Sequence, residues 1–454
     1  METVLIKTLQ VLLSLSLLII LHEGGHFLFA KLFKVRVEKF YLFFDAWNFS
    51  LFKWPRKKKN DNQTQYGIGW LPLGGYVKIS GMIDESMDIE QMKKPAQPWE
   101  FRSKPAWQRL LIMLGGIIVN FIVAFFIYSM VLFTWGDSYI KSKDITYGLK
   151  FNSSAKADGF KDGDIIIRID DKEVDAWSTS ELRAISNSKT VTVLRSGKEQ
   201  TLTMPEKMNL IEMLQQEPMY AEMLLPMNID SIIPNTPADK IGLKRTDIIT
   251  AVNGQEVQDF NDFKFQLLCI QDALNETSTP TDSLKARTIA LTINHNDTLT
   301  AVLTPEFTLG FSVKFPDYTI TKREYGFFES IPAGIQFGCE TLAGYVSDLK
   351  YVFTKQGARS VGGFIAIGNI FPDVWDWHRF WMLTAFLSIM LGFMNVLPIP
   401  ALDGGHALFT LYEIVTGRKP SDKFLERAQY VGMFILFALL ILANGNDIMR
   451  LFGI

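Results

Sequence analysis

His22, Glu23 and His26 are spaced as H-E-x-x-H within LHEGGHF, Leu21 to Phe27. On a helix the two histidines fall one turn apart on one face. Two imidazoles so placed can hold one Zn²⁺, and Glu23 beside them can act as general base on a water at the metal. In soluble zinc proteases the pattern sits on a water-exposed helix. Here VLLSLSLLII precedes it and FLFAKLF follows. Ionisable groups at membrane depth are costly unless they line a cavity or a pathway. A chance match of a short motif is the plainer explanation, and a distant stretch of the chain bears on the choice.

That stretch is MNVLPIPALDGGHALF, from Met394 to Phe409. Pro398 and Pro400 end a helix and free backbone carbonyls, which membrane proteins tolerate where the chain is covered or lines a cavity. Asp403 follows at once and offers the third ligand that two histidines lack, leaving a fourth position for water as in catalytic zinc sites. Asn395 can hydrogen-bond a substrate carbonyl or position the peptide around the site. His406 suits a partner of a ligand and a packing role about equally.

These residues need helices to carry them. The chain has 454 residues, 48% hydrophobic, too many for one compact domain and rather apolar for a soluble protein. Four apolar stretches, about Val4–Phe33, Trp107–Trp135, Phe380–Val396 and Gln429–Leu451, are long enough to cross about 30 Å of hydrocarbon. The first is expected to be a retained span rather than a cleaved signal, since Glu2 offsets Lys7 and no small-residue cleavage site closes it. A net charge of −2 gives no sign of a nucleic-acid partner. Cys269 and Cys339 are the only cysteines, which excludes a cysteine-built metal site, and five histidines leave few candidates for a histidine one.

The connections between spans one and two (including Lys57–Lys59) and between spans three and four (Arg418, Lys419, Lys423, Arg427) are basic. The positive-inside rule therefore expects both in the cytoplasm, with the termini and the large central segment outside. Within the first connection, Tyr66–Met82 (YGIGWLPLGGYVKISGM) alternates short apolar runs with Pro72, Gly74 and Gly75 and predicts a β-hairpin at the membrane interface. Simple packing explains such a hairpin; an edge strand that pairs with an extended peptide is the functional alternative. Asp84–Glu90 is expected to be a solvated acidic loop. Gly115 and Gly116 in the second span remove bulk where another helix can approach, and Asn120 adds one amide.

The central segment repeats itself: GFKDGDIIIRIDDKEV (Gly159–Val174) aligns with GLKRTDIITAVNGQEV (Gly242–Val257). Each copy is a turn, an apolar strand, a polar turn and a strand start. Amphipathic stretches then follow at Thr179–Ile185 and Phe260–Leu268, and β-like runs at Thr190–Leu194 and Thr288–Ile293. This order resembles a PDZ domain twice over, although neither copy shows a clear Gly-Leu-Gly-Phe carboxylate-binding loop, so steric modules are as good a reading as peptide receptors. Tyr325–Phe353 has helical apolar spacing and predicts an amphipathic helix on the membrane face or against these modules.

Taken together, His22-Glu23-Gly24-Gly25-His26, the GYVK stretch Gly75-Tyr76-Val77-Lys78, Gly115 to Asn120, the paired modules and Asn395 to His406 resemble the site-2 protease family of intramembrane metalloproteases, in its bacterial branch with tandem PDZ domains. The resemblance covers nearly the whole chain. It implies a polytopic α-helical membrane protein with four transmembrane helices, two inserted PDZ-like α+β domains and a membrane-associated β-hairpin, set in the bacterial inner membrane with the PDZ-like domains extracytoplasmic. Expected boundaries are 1–136 for the first half of the membrane core, 137–221 and 222–312 for the modules, 313–376 for a linker helix and loop, and 377–454 for the second half. The implied cofactor is Zn²⁺ on His22, His26 and Asp403 with Glu23 as base, and Asn395, Gly75, Tyr76, Val77 and Lys78 are the expected substrate-binding residues. The implied substrates are membrane-spanning proteins already shortened by an upstream site-1-type protease, of anti-sigma-factor type, or remnant signal peptides. A catalytically inactive scaffold that binds secreted peptides is the rival reading, and the intact H-E-x-x-H and Asp403 speak against it. A transporter is a further rival, since broken helices also mark ion sites; the halves show no matching helical repeats.

Overall fold

The computed structural model describes residues 2–56, 63–72, 74–82, 95–206, 208–274, 280–352 and 354–452. Lys57–Lys59 of the basic connection and the acidic stretch Asp84–Glu90 lie outside them. The first apolar run forms one unbroken helix, α1 (Glu2–Leu32). It leads into a four-stranded sheet of β1 (Val37–Leu42), β2 (Ser50–Trp54), β3 (Gln65–Gly69) and β4 (Tyr76–Ile79), and then into α2 (Ala106–Trp135). The strand order is β2-β3-β1-β4. The expected hairpin over 66–82 is therefore corrected: β3 and β4 do not pair with each other but flank β1, parallel on one side and antiparallel on the other. A two-residue turn would have joined them directly; the longer connection 70–75 instead carries the chain across β1. Val77 and Ile79 pack with Val37, Ala30, Ile112 and Met113, so the sheet is seated on α1 and α2. Its other edge exposes Phe49, Leu51, Phe52 and Trp54, a surface suited to the lipid interface.

The chain divides into two units, 1–137 with 324–454, and 138–323. The second unit is entered by β5 (Asp137–Ile140) and left by β18 (Ile320–Arg323), which pair. Between them the repeat folds as two modules. The first comprises β6 (Leu149–Phe151), α3 (Ser153–Ala157), β7 (Ile165–Ile169), β8 (Lys172–Glu173), α4 (Thr179–Ser186), β9 (Thr190–Arg195), β10 (Lys198–Thr203), α5 (Leu210–Gln215) and β11 (Ala221–Met223). The second comprises β12 (Ile229–Ile232), α6 (Pro237–Lys240), β13 (Ile249–Val252), β14 (Gln255–Glu256), α7 (Phe260–Asp272), α8 (Pro280–Arg287), β15 (Thr288–Ile293), β16 (Asp297–Val302) and β17 (Phe311–Val313). Their sheets have the same order, β10-β9-β7-β8 and β16-β15-β13-β14, each with a second ladder, β11-β6 and β12-β17. These ladders end at Met223 and Val313.

Beyond the modules come α9 (Phe327–Val352), α10 (Lys355–Ser360), α11 (Phe364–Ile370), α12 (Trp377–Val396), α13 (Asp403–Thr416) and α14 (Asp422–Leu451). Among the described residues four helices, α1, α2, α12 and most of α14, are long and apolar enough to cross a membrane, so the chain is a membrane protein by composition and length. The helix expected at 325–353 forms as α9, but it packs along α2: Gly334 and Gly338 meet Ser129 and Phe125, and the Tyr128 and Phe337 rings touch edge to face. Its small residues explain the approach. Polar contacts tie the spans together, with Thr384 donating to Ser14 and Ser388 donating to the Asn120 carbonyl.

Candidate metal centre

Three elements bring the chemistry together. Along α1, His22 and His26 lie one turn apart, and both are buried. A side chain at Gly25 would strike the Gly115 carbonyl, so this glycine is what lets α1 and α2 cross beside the histidines. Past α12 the chain breaks at Pro398 and Pro400, turns at Ala401 with φ of 86°, and presents Asp403 in the first turn of α13. Gly404 and Gly405 are required there, because a Cβ on either would meet backbone carbonyls of 396–399 within 2.5 Å.

His22 Nε2 and His26 Nε2 are 3.3 Å apart, and each lies 3.2 Å from Asp403 Oδ2. A tetrahedral ion with bonds of about 2.0–2.1 Å needs donor separations of about 3.3 Å. Asp403 Oδ2 is moreover buried without a hydrogen bond, an arrangement that costs free energy unless a cation shares the oxygen. The three residues form the one cluster of metal-ligating type among the described residues. They fit zinc.

The far side of each ring supports this use. His26 Nδ1–H donates to the Ile112 carbonyl at 2.8 Å, which leaves Nε2 as a lone pair facing the cluster. Asn120 lies 3.1 Å from His22 Nδ1, and its Oδ1 is otherwise buried without a partner. Turning that amide over lets Oδ1 accept from Nδ1–H and frees His22 Nε2 in the same way. Asn120 is thus a positioning residue that sequence reasoning treated as packing; a lone amide facing two membrane histidines was its one available signal.

The cluster opens into a cavity of about 780 Å³, lined among others by Glu23, Gly75, Tyr76, Val77, Lys78 and Asn395. All the expected site residues therefore meet in one space. Along one side of the cavity runs β4, an edge strand whose other edge is paired with β1. Glu23 stands beside this strand: a Cβ on Gly75 would lie 3.4 Å from Glu23 Cγ, and the Val77 amide adjoins its carboxylate. Asn395 Nδ2 is 3.4 Å from His22 Nε2. The Tyr76 hydroxyl is engaged by Asp45 at 2.7 Å, and Lys78 lies 3.7 Å from Glu38, so these two side chains serve the sheet as well as the cavity wall.

In the second module, Leu309-Gly310-Phe311 forms a turn with Gly310 at φ of 93° leading into β17, and the Phe311 ring packs on Phe260 and Phe263 of α7. A Leu-Gly-Phe turn at the end of a module, rather than at its start, escaped a search for the usual loop. Among the described residues the first module has no counterpart: α5, with Leu210 and Met213 buried, lies before β11.

Comparison with known proteins agrees with this geometry. The chain is 26% identical to the regulator of sigma E protease of Haemophilus influenzae over 97% of this chain and 98% of that one. It is 27% identical to the regulator of sigma-E protease RseP of Escherichia coli, again over 97% and 98%. A Campylobacter jejuni protein named for zinc metalloprotease activity is 28% identical over 99% of this chain and 95% of that one. The model of peptidase family M50 matches residues 10–439, a span that contains His22, Glu23, His26 and Asp403: the chain belongs to peptidase family M50.

Proposed function

We propose that this zinc metalloprotease cuts within a membrane-spanning segment of another membrane protein, one already shortened by an upstream protease. The observation that carries the reading is the meeting of the His22–His26–Asp403 triangle, Glu23 and the edge strand β4 in one cavity. Zinc bound by the triangle supplies the Lewis acidity that polarises a scissile carbonyl and acidifies water. A spanning helix satisfies its own amides and must unwind before attack. The outward N–H and C=O groups of β4 can hold the unwound segment by strand addition, with little demand on its sequence. Glu23 accepts a proton from the attacking water at its carboxylate and returns it to the leaving nitrogen. That carboxylate stands beside β4, the strand along which the substrate would lie. Asn395 can donate to the substrate carbonyl.

Anti-sigma factors and remnant signal peptides have the required form, a single span with a short stub. The modules at 138–323 are tethered to the membrane core at both ends, and we assign them the role of a size filter on the outer side, with the basic connections in the cytoplasm. A second reading is favoured by the Leu309-Gly310-Phe311 turn: the second module captures the free C-terminus left by the first cut, which is also how an inactive scaffold would work. The test is cleavage of two single-span substrates, one with a short stub and one with a folded outer domain. The protein and a variant lacking about Asn152–Pro305 are compared. A size filter predicts that the deletion releases cleavage of the bulky substrate and leaves the short one unchanged. Loss of cleavage of the short one by groove substitutions at Phe311 overturns the filter, and no cleavage of either by the intact zinc-loaded protein overturns the protease reading.

A further inference from the structure

The fourth span holds one polar residue that the mechanism above does not use. Gln429 in α14 is only 3% exposed, and it lines the same cavity as His22, Glu23, His26, Asn395 and Asp403. Two other polar residues of α14 are also buried, and both are satisfied. Asn446 donates to the Ala358 and Val361 carbonyls, and Asp447 accepts from the Ile365 and Ala366 N–H groups. The Gln429 amide has no hydrogen-bond partner among the described residues, yet its atoms are not sealed off as orphans. It faces the open cavity.

Its position is held from one turn further along. A Cβ on Gly432 would run into the Pro400 carbonyl oxygen, so this glycine lets α14 lie directly on the proline break that presents Asp403. An unpartnered amide on a spanning helix is expensive and marks a functional site by default. The need it answers follows from strand addition. A segment laid along β4 has one edge paired, while its other edge carries peptide N–H and C=O groups out of reach of water and of β4. A glutamine amide carries one acceptor oxygen and an NH₂ donor, matched to one such peptide group.

We propose that Gln429 binds the substrate, its side-chain amide hydrogen-bonding a main-chain peptide group on the edge that β4 leaves unpaired. This rests on the reading of the cavity as the cleavage site for an unwound span. The test uses the full-length protein in detergent, a single-span model peptide with a short stub, and Gln429→Met, which keeps length and removes hydrogen bonding. One lost hydrogen bond predicts a rise in KM of about 5–20-fold with kcat and zinc content near wild type. The penalty is equal for model peptides of different sequence, because the contact is to main chain. A photoreactive residue at 429 in the Glu23→Gln background is expected to crosslink to the peptide, and this arm decides the matter if Gln429→Met does not fold. Unchanged KM, or no crosslink at 429 where one at Tyr76 forms, overturns the inference while leaving the protease reading standing. Failure of zinc-loaded wild type to cut the peptide overturns both.

Discussion

Two clusters of acid packed against nitrogen groups, one in each unit, are built in opposite ways. Around Lys150, Asp162, Asp259 and Asp262 lie 3.1, 2.8 and 2.9 Å from one ammonium and clasp the first module to the start of α7 in the second. Each carboxylate has further donors or duties: Asp162 accepts from Lys156 and the Phe151 N–H, and Asp259 caps α7 through the Asp262 N–H. In the membrane unit, Asp403 Oδ2 is approached by two imidazoles and hydrogen-bonded by neither. A cluster that carries its own counter-charge is finished as structure, whereas a carboxylate oxygen left bare between two lone pairs is arranged for a cation. Buried charge alone does not mark a functional site; incomplete satisfaction of that charge does.

The largest effect is expected where the contrast is sharpest. Glu23→Gln removes the proton acceptor without moving a ligand, so cleavage should fall by about 10³-fold or more while zinc stays stoichiometric, as read by peptide cleavage and metal analysis. Asp403→Ala, and likewise His22→Ala or His26→Ala, should abolish stoichiometric zinc as well as cleavage. Zinc retained by Asp403→Ala would remove the basis of the comparison.

Next comes the strand that serves the membrane cluster. Val77→Pro deletes the backbone N–H that adjoins Glu23, whereas Val77→Ala keeps it. Cleavage should drop at least about tenfold in the proline variant, in line with loss of a charge-assisted hydrogen bond and one pairing site, and remain within about threefold in the alanine variant. Zinc content should be unchanged in both. Equal behaviour of the two would leave β4 as packing only.

The smallest effects belong to the finished cluster. Lys150→Met leaves three carboxylates without their shared cation and should cost the module pair about 2–3 kcal/mol, seen as faster hydrogen exchange in the first turn of α7, with zinc binding untouched. Its pH dependence sharpens the point. Burial alone would raise Asp162, but hydrogen bonds from Lys156, the Phe151 N–H and Lys150 outweigh it and hold the carboxyl below its usual range. A depressed acid contributes fully above its unfolded value of about 3.9 and loses its contribution as pH falls through the folded value. Burial would likewise lower Lys150, yet hydrogen bonds to Asp259 and Asp262 raise it, so its contribution persists below about 10.4 and is lost only as pH rises through the raised value. The urea midpoint of module unfolding should therefore be flat from about pH 5 to 9 and fall in acid.

The sequence by itself determined what is periodic or local. The spacing of His22 and His26 forces them onto one helical face with Glu23 beside them, the apolar runs are long enough to span, the repeat at Gly159 and Gly242 folds twice the same way, and the Pro398–Pro400 break puts Asp403 at a helix start. Such features depend on neighbours within a few residues, so no partner from elsewhere can overrule them. Only the tertiary structure decided what depends on distant pairing. That β1 separates β3 from β4, that α9 packs on α2, that Asn120 reaches the far side of His22 and that Gln429 reaches the cavity are outcomes of which surfaces meet. Backbone edges and side-chain amides have no periodic signature, and their roles are set by the partner that the fold brings, or leaves unbrought, to each of them.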